Sequence, residues 1–204
     1  MTRSRESRAL ILDAAERLFA ERGFDATPTA AIADSAGVPK GLLFYYFPSK
    51  TDLLRALVGE RLELDPIDTT ALIARGDPAR ALLNISHMLR RLQAESAVRR
   101  VIVWREQRTH PEVHASLHDY RRQLQNLVEQ VLRASTRHPI AAHRLRAAAT
   151  AWVAILTTPT LHDHHTAMDG GTTHVASDAD IDPSDPADLP TLADLISAGL
   201  RDDA

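Results

Sequence analysis

The chain has 204 residues, 44% of them hydrophobic, enough to bury a sizeable core in one domain or two small ones. Cysteine is absent, which excludes disulfides, thiolate nucleophiles and cysteine-bearing zinc motifs and fits a reducing, cytoplasmic setting. The net charge of −3 is unevenly spread: residues 161–204 hold ten acidic residues and one basic residue, Arg201, leaving 23 basic against 17 acidic residues before them. The opening Met1-Thr2-Arg3-Ser4 leads into an amphipathic pattern instead of a signal peptide, and no stretch reaches the roughly 18 apolar residues of a membrane span.

In chain order, Ser4 is placed to cap a first helix in which Ile11, Leu12, Ala15, Leu18 and Phe19 recur at three- and four-residue spacing, and Gly23 stops it. Thr27-Pro28 reads as an N-cap followed by proline at the first helical position of a short helix to about Ser35. Gly37 ends that helix, Pro39 opens the next, and Leu43 and Phe47 lie four apart on its inner side. Ser49 with Asp52 forms a capping box for a fourth helix carrying Leu53, Leu54, Leu57, Val58 and Leu62. Gly76-Asp77-Pro78 starts a longer helix through Leu82, Ile85 and Leu89, and residues 98–109 read as another. Pro111 opens a long helix that runs to a break at His138-Pro139. A helix with Leu145, Ala149, Trp152 and Leu156 follows. Residues 157–188 are rich in Asp, Gly, Thr, His and Pro and read as a long loop before a last helix from Leu189. The expected fold is all-α, with about nine helices.

A helix-turn-helix needs a small residue where its helices approach, a glycine in the turn and apolar anchors around both. Ala33, Gly37, Ile32, Val38 and Leu43 meet that demand. The segment from Thr27 through Gly37-Val38-Pro39-Lys40-Gly41-Leu42-Leu43-Phe44-Tyr45-Tyr46-Phe47-Pro48-Ser49-Lys50 to Leu54 strongly resembles the TetR (tetracycline-repressor-like) family. The resemblance runs from about Arg8 to about Leu62 and is mainly architectural beyond. It implies a homodimeric transcription regulator, by default a repressor, that binds a palindromic double-stranded operator and is released by a small-molecule effector. It implies a DNA-binding domain over residues 1–48 and a ligand-sensing and dimerisation domain over 49–204.

Carried over by position, Lys40 and Tyr45 reach base edges, Gly41 admits the DNA close to the backbone, and Thr29, Phe44, Tyr46 and Lys50 touch phosphate or sugar. Pro39 and Leu42 stand where relatives often carry hydroxyl side chains, and Phe44 where they carry tyrosine, so fewer backbone contacts are expected. The family's ligand pocket makes His87, Met88, Trp104, His114, His118, Tyr120 and Trp152 candidates to line one here. The family's dimer-forming pair of helices corresponds to apolar faces formed by Leu145, Ala149, Trp152 and Leu156 and by Leu192, Leu195, Ile196 and Leu200.

Two histidine clusters invite other chemistry. His110, His114 and His118 share a helix face, but no further ligand accompanies them, so no metal site is assigned. His162-Asp163-His164-His165 suggests an alternative, an all-α HD-type metal-dependent phosphohydrolase, which leaves the helix-turn-helix unexplained. No phosphate-binding glycine loop or nucleophile motif occurs, so neither an enzyme nor a cofactor is expected.

Overall fold

The computed structural model describes residues 2–64, 67–98, 102–157 and 189–200. The regular elements among them are all helical. In order they are α1 (Thr2–Arg22), α2 (Thr29–Ser35), α3 (Lys40–Tyr46), α4 (Lys50–Leu62), a 3-10 turn (Thr69–Ala71), α5 (Pro78–Glu95), α6 (Val103–Glu106), α7 (Pro111–Ser135), α8 (Ala142–Thr157) and α9 (Leu189–Ala198). The chain forms two compact units. One comprises residues 1–66 and 90–122, the other 67–89 and 123–204, and the division falls inside α5 and α7.

In the first unit, Ile11, Leu12, Ala15, Leu18 and Phe19 are all buried, and α1 packs on α2, α3 and α4. Gly23, at φ +84°, terminates α1 and donates its N–H to the Phe19 carbonyl at 2.9 Å. Thr27 plays a different part from the one expected. It is fully buried, and its hydroxyl donates back to the Gly23 carbonyl at 2.7 Å, so it closes the end of α1 while Pro28 occupies the N-cap of α2. Turned toward the carbonyls at the end of α1, this hydroxyl makes no cap bond to the N–H groups of α2.

The turn between α2 and α3 is a Schellman closure. Val38 N–H reaches the Ala33 carbonyl at 3.0 Å and Gly37 N–H the Asp34 carbonyl at 3.1 Å, with Gly37 at φ +65°. That left-handed residue reverses the chain so that Ile32, Ala33 and Leu43, none more than 1% exposed, meet under α3. Ser49 caps α4 as expected, accepting the Asp52 N–H at 3.0 Å and donating its hydroxyl to the Asp52 carboxylate at 2.7 Å.

Polar links tie the rest of this unit to α1. Arg8 pairs with Glu60, and Arg61 with Asp13 and Glu16. The Glu16 carboxylate also accepts the Ser96 hydroxyl at 2.9 Å and the Val98 N–H at 3.2 Å. In the second unit the core contains Leu82, Ile85, Leu124, Val128, Leu145, Ala149 and Trp152, each at most 1% exposed. The Trp152 indole N–H donates to the Leu82 carbonyl at 3.1 Å, which satisfies the one polar atom this large side chain buries.

Candidate nucleic-acid interface

Helix α3 has two turns and two opposite faces. Leu43 is fully buried on one, while Lys40, Gly41, Phe44 and Tyr45 are exposed on the other, Tyr45 by 78%. Leaving two aromatic rings in water forgoes apolar burial that the core would reward, so their exposure calls for an explanation. The Lys40 ammonium stands 5.8 Å from the Phe44 ring centre, and the Tyr45 and Tyr46 rings meet edge to face at 5.3 Å. The face therefore presents a cation, a hydroxyl and flat apolar edges, the groups that read phosphates and base edges.

Gly41 sharpens this picture. Glycine inside a helix costs about 1 kcal/mol relative to alanine, yet a Cβ built at Gly41 would meet nothing within 4 Å. Nothing inside the fold requires the missing side chain. Gly59 of α4 is equally free of neighbours and lies off this face.

Of the three remaining positions that the resemblance assigned to phosphate or sugar, two lie half-buried at helix ends, Thr29 as the first residue of α2 and Tyr46 as the last of α3. Lys50 is engaged inside the protein. Its ammonium donates to the carbonyls of Phe24, Asp25 and Thr27 at 2.8, 3.3 and 3.1 Å and stands 4.3 Å from the Phe24 ring centre. An ammonium has three N–H donors, and all three are directed at this loop.

The same loop is also held by Glu106, which the sequence did not single out, and by His110, which it grouped only with His114 and His118. Buried Glu106 accepts the Phe24 N–H at 3.2 Å, and the His110 ring lies 4.4 Å from the Phe24 ring, edge on. No local pattern marks these contacts, because the partners are some eighty residues apart.

Comparison with known proteins bears on the same segment. Residues 11–57 match the family model described as bacterial regulatory proteins, tetR family. Residues 11–57 thus resemble the helix-turn-helix segment of that family. Over 55 residues it is 44% identical to the HTH-type transcriptional regulator TtgR of Pseudomonas putida, covering 27% of this chain and 26% of that protein. Over 79 residues it is 38% identical to the repressor KstR of Mycolicibacterium smegmatis, covering 38% and 39%. The chain thus spans about a quarter to two-fifths of the length of these curated relatives. Over its whole length it superposes on NalD, the secondary repressor of the MexAB-OprM multidrug efflux pump in Pseudomonas aeruginosa. The TM-score is 0.59 at 25% identity, with all of both chains covered. A regulator from Streptomyces coelicolor, SCO7518, superposes at TM-score 0.60 and 17% identity over 97% of this chain and 99% of that one, a likeness of all-α fold.

Outside residues 11–57 the other sequence candidates are dispersed. His87, His114 and His118 are exposed, Met88 is half-buried, and Tyr120 and Trp152 belong to the core of the first and second units respectively. The Trp104 side chain lies outside the described part of the structure, as does the His162-Asp163-His164-His165 cluster. Among the described residues no group of three or more His, Asp or Glu is placed to hold a metal, and His110 instead lies 3.7 Å from Glu106 and 3.5 Å from Glu112. Of the residues expected at a dimer interface, Leu145, Ala149, Trp152 and Leu200 are buried within the protomer, because their helix faces fill its own core. Leu195, 65% exposed, and the half-buried Leu156, Leu192 and Ile196 remain at the surface. No helix among the described residues is long and apolar enough to cross a membrane.

Proposed function

We propose that the chain is a ligand-responsive transcriptional regulator, acting as a repressor, that binds a palindromic DNA operator as a homodimer and releases it when a small molecule binds residues 49–204. The observation that carries the DNA reading is the outward face of α3 within residues 1–48. Lys40, Gly41, Phe44 and Tyr45 stand clear of the protein on a helix anchored through Leu43. Lys40 and Tyr45 read base edges, Gly41 lets the duplex approach the backbone, and Phe44, Tyr46 and Thr29 contact sugar and phosphate. Lys50 acts mainly from behind, by fixing the loop of residues 24–27.

Two such helices in one dimer reach successive major grooves when they stand about 34–36 Å apart. The surface proposed to join the protomers combines Leu195, Leu192 and Ile196 of α9 with the exposed Ala147, Ala151 and Ala154 of α8, whose small side chains permit close helix approach. Effector release needs only a difference in affinity between two states, and a coupling of roughly 1–3 kcal/mol changes operator affinity about 5–150-fold. TtgR, KstR and NalD, named as regulators or repressors, support the same reading.

The test is a protection assay on DNA upstream of the protein's own gene at two salt concentrations, with light scattering on the same sample. A dimer giving a palindromic, salt-sensitive footprint is expected. A monomer without a footprint overturns the reading.

A further inference from the structure

The second unit contains a cleft of about 380 Å³, within the size range of small-molecule pockets, where the start of α5, the connection between α7 and α8, and the end of α9 converge. It shares no residue with α3 and none with the pocket candidates named from the sequence.

Its walls are preorganised. Gly76 N–H donates to the Ser135 carbonyl at 2.6 Å and Ala74 N–H to the Ser135 hydroxyl at 3.1 Å, which staples residues 74–76 to the end of α7. Gly76 sits at φ +81°, and a Cβ there would fall 2.6 Å from Arg137 Nε. The absent side chain is the seat of the Arg137 guanidinium. One oxygen of the Asp77 carboxylate accepts the Arg80 N–H at 2.9 Å as the cap of α5.

Four polar groups lining the cleft, the side chains of Arg137, His138, Asp194 and Ser197, are uncommitted among the described residues. None of the four has a hydrogen-bond or ion-pair partner there. Ser197 is 5% exposed and contributes its hydroxyl to the cleft wall. Pro139, Ile140 and Leu200 supply apolar wall between these groups.

We infer that this cleft is a binding site for a small zwitterion with an apolar body, of the class of aliphatic amino acids and short apolar peptides. The Arg137 fork takes the carboxylate, Asp194 takes the ammonium, Ser197 donates to the carboxylate, and the apolar wall takes the side chains. A guanidinium favours a carboxylate because its parallel N–H groups match the two oxygens. A ligand bearing only a negative charge would leave Asp194 unpaired and repelled, and one bearing only a positive charge would do the same to Arg137. The zwitterion satisfies both.

The assignment is independent of DNA binding, and its test needs no operator. Calorimetric titration of the full chain with the dipeptide leucyl-leucine is compared with its N-acetylated and its C-terminally amidated forms. Saturable binding of the free dipeptide is expected, weakened roughly tenfold or more by either block. Arg137→Gln should erase the discrimination against the amide, and Asp194→Asn the discrimination against the acetylated form. Both side chains are exposed, and a melting curve for each variant checks that the fold survives. Absence of saturable binding, equal binding of the blocked forms, or variants that discriminate as the unmodified chain does would each overturn the assignment.

Discussion

Gly41 and Gly59 make a matched pair. Both are helical glycines whose absent side chains meet nothing inside the protein, so replacing either with alanine should stabilise the chain by about 0.5–1 kcal/mol through backbone entropy. Only Gly41 lies on the exposed face of α3. Gly41→Ala should therefore raise the melting midpoint while weakening operator binding, whereas Gly59→Ala should raise it and leave binding unchanged. Equal operator affinity in the two variants would remove the case for close DNA approach at Gly41. Lysines separate in the same way. Each phosphate neutralised contributes about 0.9 to the slope of log affinity against log salt. Lys40→Ala should reduce that slope, because its ammonium is exposed on α3. Lys50→Ala should instead destabilise the fold by roughly 1–3 kcal/mol, because three loop carbonyls lose their donor, and should leave the slope nearly unchanged.

Helix α3 is too short to hold itself in place. Seven residues form two turns, marginal for any isolated helix, so its orientation depends on Leu43 beneath it and on the closure at Gly37 before it. Leu43→Ala should cost about 2–5 kcal/mol, as other fully buried leucines do when truncated, with DNA binding lost through the fold instead of through contact. The loop of residues 24–27 is similarly determined by neighbours, held by hydrogen bonds from Lys50 and to Glu106. Glu106→Leu leaves the Phe24 N–H without its acceptor, which predicts a loss of roughly 1–3 kcal/mol and faster hydrogen exchange at that amide. Glu106→Gln keeps an acceptor oxygen and should retain most of the protection. Unchanged exchange in Glu106→Leu would show that this bond does not hold the loop.

For the molecule as a whole, the proposed dimer rests on the outer faces of α8 and α9. Leu195→Glu places a charge on the most exposed apolar side chain of α9 and should yield a monomer by light scattering, with operator affinity falling toward that of a half-site. A dimer that persists in this variant would place the interface elsewhere. Much was legible from the residues alone. The turn signals at Gly23, Gly37, Ser49, Gly76 and Pro139 delimit the helices, and the segment from Ile32 to Leu43 marks the helix-turn-helix, because caps, turns and apolar periodicity act over a few residues. The tertiary structure alone decided which side of each helix faces inward where both sides are apolar, turning Leu145, Ala149 and Trp152 of α8 into the protomer's own core. It alone engaged Lys50 with a loop some twenty-five residues away, and it seated Arg137 over Gly76 from sixty-one positions along the chain. Those outcomes depend on which distant surfaces meet and on which partner satisfies a polar group first, and local sequence carries no record of either.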